Sequence, residues 1–264
     1  MNVLFIGDIC GSLGRNTVKN YLTELKEKYK VAFVIANGEN AAHGRGITEV
    51  MYKQFLEEGI NVVTMGNHTF DNHDIFNFID NAKNLIRPAN MDKSVPGKGF
   101  DIFTINDIKI AVINLMGRSF MPPVNCPFRT FDEIYDTVRT ITPIIIVDFH
   151  AEATSEKMAF GYYADGKATA VIGTHTHVQT ADNRILPNGT AYITDAGMTG
   201  PLNGVIGVEK DNVINRFING LPSRFNPVEE GETQLNAVLL NIDPKTGIAE
   251  GIERIYITEK PQKV

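Results

Sequence analysis

Five short runs rich in β-branched residues stop at side chains that bind metals: VLFIGD at Asp8, AFVIANGEN at Glu39 and Asn40, VVTMGNH at Asn67 and His68, IIIVDFH at His150, and AVIGTHTH at His175 and His177. One strand ending this way is ordinary; five point to a single site. Strands of a mostly parallel sheet deliver their carboxyl ends to one edge, and ligands of open α/β sheets bind in the crevice there. The nitrogen and oxygen donors Asp8, Glu39, Asn40, Asn67, His150, His175 and His177, with no thiolate among them, suit zinc, iron or manganese in a reactive centre better than a structural zinc knuckle. They are too many for one tetrahedral ion. They are about right for two ions sharing a bridging carboxylate, the arrangement used for in-line displacement at phosphorus.

Each donor also has an ordinary reading. Asp8 follows Gly7 in a tight strand-to-helix turn, where an Asp commonly caps the helix. Gly7, Gly11 and Gly14 do not have the G-x-G-x-x-G spacing of a dinucleotide site. Glu39 follows a strand too apolar to leave a carboxylate unpaired cheaply, a cost that bridging two cations resolves; the alternative is a turn, GENAAHGRG, with Asn40 capping the next helix. In GNHTFDN, an amide ligand at Asn67 sets His68 beside a metal without using it as a ligand, where it can donate a proton to a leaving oxygen. His73 reads as a loop histidine. His175 and His177 alternate by two, so a strand running through both would turn them to one side, with His150 as the third imidazole.

The first half alternates strand and helix signals as βαβαβα: VLFIGD, NTVKNYLTELKEKY, AFVIANGEN, ITEVMYKQFLEEG, NVVTMGNH and DIFNFIDNA. A hairpin of DIFTIND and IKIAVINLMG turns at Asn106 and Asp107. The irregular MGRSFMPPVNCPF follows, a functional loop or an interface arm. The helix FDEIYDTVRTI, the strand PIIIVDFH, the helix TSEKMAFGYYA and the strands ATAVIGTHTH and TAYITDAG continue the series, and TQLNAVLLNID to IERIYI closes it as a hairpin around DPKTG. No linker or repeat interrupts the chain, so one α/β domain over 1–264 is expected.

A hydrophobic content of 43% with 21% charged residues is that of a globular protein, and no apolar stretch approaches the roughly 20 residues that cross a bilayer. The amino terminus enters a strand directly, so export is not expected. Cys10 and Cys126 are too few for a disulfide framework, which points to a reducing cytoplasm. A net charge of −6 and a pI near 5.5 argue against a protein that grips long nucleic acid. They leave room for a small anionic substrate whose phosphate meets the metals' positive charge.

Taken together, GDICG, NGEN, GNHTFDN, DFHAEATSEK and GTHTHVQTADNRILP resemble the calcineurin-like metallophosphoesterases, and within them the YmdB-like bacterial branch of cyclic nucleotide phosphodiesterases, over nearly the whole chain to TAYITDAGMTGP. The resemblance implies a layered α/β sandwich with central mixed sheets flanked by helices. It implies that Asp8, Glu39, Asn40 and His177 hold one metal, that Glu39, Asn67, His150 and His175 hold the other, that Glu39 bridges, and that His68 donates a proton. It implies two ions, with iron or manganese favoured over zinc, a 2′,3′-cyclic nucleotide substrate attacked by a hydroxide held between the ions, and a homo-oligomer, a tetramer, in which something covers Phe120, Met121 and Phe128.

The chain departs from the broad superfamily in carrying Cys10 where Asp-x-His would put a ligand, and Glu39 where the bridging residue is usually Asp. Asn40 compensates as a ligand, and Cys10 reads as a buried small hydrophobe. A nuclease or nucleotidase on the same metals would show a basic groove, and a regulatory protein with a vestigial site would have lost ligands. Here every ligand position of the branch is filled.

Overall fold

The computed structural model describes residues 1–259; the last residues of the expected unit, 260–264, lie outside that range. The first half builds β1 (Asn2–Ile6), β2 (Asp8–Ile9), α1 (Gly11–Lys28), β3 (Val31–Asn37), α2 (Glu49–Glu58), β4 (Val62–Thr64), α3 (Ile75–Phe78) and β5 (Leu85–Ile86). The middle adds β6 (Phe100–Ile105), β7 (Ile108–Met116), α4 (Pro127–Val138), β8 (Ile145–His150), α5 (Thr154–Ala164), β9 (Ala170–Thr174), β10 (Arg184–Ile185) and β11 (Ala191–Ile193). The chain then returns to the first half through β12 (Met198–Pro201), α6 (Lys210–Asn219), β13 (Thr233–Ile242) and β14 (Ala249–Glu259).

These strands form two mixed sheets, one ordered β2-β12-β13-β1-β3-β4-β5 with β14 also on β13, the other β10-β11-β9-β8-β7-β6. Alternation along the strands sorts their side chains between layers. In β1, Val3 and Phe5 point into the space between the sheets while Leu4 and Ile6 pack on the side of α1 and α2. In β7 and β8, Ile110, Val112 and Ile146 face the other sheet, and Ile113, Val147 and Phe149 face α4 and α5. Strands covered on both faces read as continuous apolar runs, which is why VLFI and IIIV carry no polar alternation. The result is a helix-sheet-sheet-helix sandwich with the inter-sheet core beneath the strand ends. No helix among the described residues is long and apolar enough to cross a membrane.

Both hairpins form where expected. Asn106 and Asp107 have φ of 47° and 65°, the left-handed pair a tight two-residue turn requires. Asp243 accepts from the Lys245 amide at 2.9 Å to shape the second turn. The helix expected over DIFNFIDNA is only Ile75–Phe78 followed by a 3₁₀ turn over Ile79–Asn81. Asp74, its natural cap, accepts instead from the Glu49 amide at the start of α2. Of the apolar residues expected to need a cover, Phe120 is 91% exposed, but Phe128 lies in α4 with its ring 5.4 Å from Phe160 and 5.1 Å from Tyr163. Phe128 is therefore covered by its own chain.

Candidate metal centre

Contacts link Glu39, Asn67, His150, His175, Asp8 and His177, and Asn40 edges the same cleft as His177, with one correction to the expected frame. They come from β2 and from the ends of β3 and β4 in one sheet and of β8 and β9 in the other, rather than from one edge of a single sheet. Asp148, a buried carboxylate in β8, ties the sheets together below them. It accepts from Asn37 and Thr64 of the first sheet and from Thr174 of its own. Burial pushes its pKa up, against these three donors and the charge of His150.

Around Glu39 the contacts are tight. Glu39 Oε1 is 3.0 Å from His150 Nε2, and Oε2 accepts from the His68 amide at 2.8 Å. The same His150 nitrogen lies 3.0 Å from Asn67 Oδ1 and 3.1 Å from His175 Nδ1. One N–H cannot serve three such neighbours, whereas a cation among them satisfies all at once. Glu39, His150 and His175 each bring a donor atom within 4.8 Å of the others. A Cβ at Gly66 would lie 2.4 Å from Glu39 Oε2 and from His150 Nε2, so only glycine leaves this space open.

A second set lies beside the first. Asp8 Oδ2 accepts from the His175 amide at 3.2 Å, while Asp8 Oδ1 and Asn40 Oδ1 are buried with no hydrogen-bond partner among the described residues. His177 Nε2 is 3.9 Å from Asp8 Oδ1. An unpartnered buried oxygen is costly, and Asp8 Oδ1 beside an imidazole, with Asn40 Oδ1 also unpartnered, is what a cation would satisfy. Neither residue caps a helix. Cys10 occupies the start of α1, Thr48 caps α2, and the Asn40 amide nitrogen donates to the Gly44 carbonyl at 2.9 Å, which leaves its oxygen free.

The electrostatics follow from this packing. Burial would raise Glu39, but the charge and hydrogen bond of His150 hold it down at about 2. Burial pulls His150 the other way, and Glu39 pushes it up to about 9. Burial and the charge of His150 press His175 down to about 3, and burial lifts Asp8 to about 6 against the pull of His177 and His150. Burial, then Asp8, pushes the Cys10 thiol up to about 12, so it stays protonated and packs as the small hydrophobe expected.

The expectation that His175 and His177 extend a strand is wrong. β9 ends at Thr174, and His175 and His177 have φ of 101° and 66°, conformations that cost energy in a non-glycine residue. The turn is pinned from beneath. Lys157 Nζ donates to the Thr174 carbonyl and to Asp195, both at 2.6 Å, and Asp195 accepts the Thr176 amide at 3.0 Å and its hydroxyl at 2.8 Å.

Several functional neighbours escaped the sequence reading. Each candidate imidazole has its far nitrogen engaged: His150 Nδ1 with Thr174 Oγ1 at 2.9 Å, His175 Nε2 with Glu152 at 3.1 Å, and His177 Nδ1 with the Ile206 carbonyl at 3.0 Å. Such partners fix the tautomer and the ring plane. His68 Nδ1 lies 2.7 Å from Asp71 Oδ2, which can only accept, so Nε2 is the nitrogen left for chemistry. Asp148 carried a readable signal, being an acid inside the apolar run IIIVDF. Asp71 lay inside the GNHTFDN motif itself. Glu152 and Lys157 lay inside the DFHAEATSEK motif, and Ile206 had no signal.

Comparison with known proteins adds independent findings. The sequence signature of the YmdB-like protein family matches residues 4–255. The chain is 55% identical to the 2′,3′-cyclic-nucleotide 2′-phosphodiesterase of Bacillus subtilis (strain 168), over 98% of each chain. Among solved structures, a novel phosphatase from Mycoplasma pneumoniae superposes with a TM-score of 0.92 at 41% identity, over 98% of this chain and 94% of that one. A hypothetical protein from Thermus thermophilus superposes with a TM-score of 0.91 at 37% identity, over 98% of this chain and 100% of that one.

Proposed function

We infer that this chain, which belongs to the YmdB-like family, is a metal-dependent phosphodiesterase that opens 2′,3′-cyclic nucleotides to nucleoside monophosphates. The observation that carries the reading is the pair of buried, unpartnered oxygens of Asp8 and Asn40 beside the Glu39–His150–His175 cluster, in a relative of a known cyclic-nucleotide phosphodiesterase.

In this reading Asp8, Glu39, Asn40 and His177 would hold one ion, Glu39, Asn67, His150 and His175 would hold a second, and Glu39 would serve both. Bound metal supplies Lewis acidity, making water a better nucleophile and offsetting the charge that gathers on the phosphoryl oxygens. Water adds at phosphorus opposite the O2′ ester, the P–O2′ bond breaks, and O2′ needs a proton. His68 provides it from Nε2, with Asp71 holding the ring so that this nitrogen faces the substrate. Gly66 keeps the space between Glu39 and His150 clear, and the buried Lys157–Asp195 pair keeps the His175–His177 turn in place.

Iron or manganese is favoured by the family resemblance, and zinc also suits nitrogen and oxygen donors. The reading includes a single catalytic unit over 1–264 in the cytoplasm, supported by free thiols at Cys10 and Cys126. It includes a homo-oligomer, a tetramer by the same resemblance, supported by exposed apolar side chains at Phe120 and at Phe217 and Ile218 of α6. Metal analysis of purified protein, turnover of cyclic nucleotides and light scattering test it together. Protein that carries no transition metal as isolated, or that leaves 2′,3′-cyclic nucleotides intact when loaded, rejects the activity; the mass of one 29.2 kDa chain in solution rejects the assembly.

A further inference from the structure

The metal centre opens into a cleft of about 790 Å³. Asn40, His68 and His177 edge it on the metal side, and Ile206, Arg216 and Phe225, from the segment between β12 and β13, form the opposite wall. A phosphoryl group alone leaves most of this space unfilled. The wall carries a feature that matches what the rest of a nucleotide offers: the Arg216 guanidinium lies 5.0 Å from the centre of the Phe225 ring, and Phe225 keeps 38% of its surface open. The guanidinium lies over one face of the ring, so the outer guanidinium plane and the opposite ring face are what the wall offers, both of them surfaces on which nucleobases stack.

The wall is also fixed relative to the metal donors. Ile206, a β-branched residue at the rare φ of 48°, turns its carbonyl to accept from His177 Nδ1 at 3.0 Å. Next to it, Gly207 sits so close to Cys10 that a Cβ would be 2.6 Å from the sulfur. A second cleft, of about 470 Å³ and lined by Gln179, Asn236, Arg254 and Tyr256, touches only His177 of the donor set and cannot hold the remainder of a molecule whose phosphate spans the centre.

We propose that the larger cleft is the nucleoside subsite, with the Phe225 ring and the Arg216 guanidinium as the stacking wall for the base. The proposal rests on the cyclic-nucleotide reading above. Full-length Phe225→Ala, Arg216→Ala and Phe225→Tyr proteins are compared with the parent on adenosine 2′,3′-cyclic phosphate and on p-nitrophenyl methyl phosphate, a diester with no base. Loss of stacking lowers the ratio of kcat/KM for nucleotide over diester by roughly tenfold in Phe225→Ala, chiefly through KM, and by less in Arg216→Ala. Phe225→Tyr, which keeps a ring, retains the parental ratio. A ratio within about twofold of the parent in both alanine variants overturns the assignment.

Inhibition of diester hydrolysis by adenosine 3′-monophosphate and by inorganic phosphate separates the subsite from the choice of substrate. Phe225→Ala should weaken inhibition by the nucleotide about tenfold more than inhibition by phosphate; equal weakening of the two refutes the subsite. A parent enzyme that leaves the cyclic nucleotide intact, yet shows this ring-dependent inhibition, refutes the substrate reading and sustains the subsite.

Discussion

His150 Nδ1 and Thr174 Oγ1 meet at 2.9 Å, and the proton between them belongs to His150. Thr174 has a single hydroxyl proton and gives it to Asp148 Oδ1 at 2.6 Å, so toward His150 it can only accept. That keeps the Nδ1 proton in place, so once a cation displaces the Nε2 proton held by Glu39, Nε2 presents its lone pair to the space between Glu39, Asn67 and His175. Thr174→Val keeps the shape and removes this acceptor. Metal affinity should fall roughly 10- to 100-fold, and leaving Asp148 short of a donor should cost about 1–3 kcal/mol of stability. Competition with a chelator and thermal unfolding measure the two effects; undiminished metal affinity would show that the relay does not orient His150.

Glu39→Gln replaces a carboxylate that faces His150 on one side and the His68 amide on the other. The amide keeps the shape and loses the charge that two cations would share in the proposed reading. Metal stoichiometry by elemental analysis and turnover should both fall. Two bound ions with parental turnover would remove Glu39 from the bridging role.

His68→Ala should leave both metals bound and cost roughly 10²- to 10⁴-fold in turnover of a cyclic nucleotide, whose alkoxide leaves only with a proton. A nitrophenolate leaves without one, so the loss on p-nitrophenyl methyl phosphate should be much smaller. Asp71→Asn should show the same pattern more weakly, because it frees the ring rather than deleting it. Equal losses on both substrates would exclude proton donation by His68.

Metal uptake should depend on pH with a definite sign. Glu39 holds the His150 proton up to about pH 9, and a metal must displace that proton to reach Nε2. Below about 9, affinity should therefore fall close to tenfold per unit of pH, and more steeply once Asp8 begins to protonate near about 6. Above about 9 it should level off. Calorimetry in buffers of different ionisation enthalpy should register about one proton released per ion entering the Glu39 cluster at neutral pH. Affinity that does not change between these limits would contradict the Glu39–His150 ion pair.

The donor types and the strand ends that carry them could be read directly, because a β-branched run closing on Asp, Glu, Asn or His is a local pattern. Partition of those strands between two sheets could not, since it depends on pairings such as β1 with β13, more than two hundred residues apart. The turn at His175 and His177 was misread for a similar reason. Period-two spacing describes a strand, and the turn found in its place is held by Lys157 and Asp195, 38 residues apart. Asp148 was legible: an acid in a fully apolar strand must have partners, and one of them, Thr174, also meets His150 Nδ1. Phe128 looked exposed because the helix that covers it, α5, is distant in sequence.

β2 carries Asp8, and its sheet partner is β12, with Asp8 opposite Met198. Met198 follows His177, so a nascent chain that has just delivered every donor from the ribosome still lacks the strand that holds Asp8. Synthesis order and assembly order thus differ: the amino-terminal strands wait for a segment made near the end, and Met1 itself donates to the carbonyl of Ile242. Non-local closures of this kind are slow relative to helix formation and leave strand edges uncovered in the interim. On the proposed ligand set, metal loading would be a late step in biogenesis, and a polypeptide stopped short of β12 would own every proposed donor without the strand that holds Asp8.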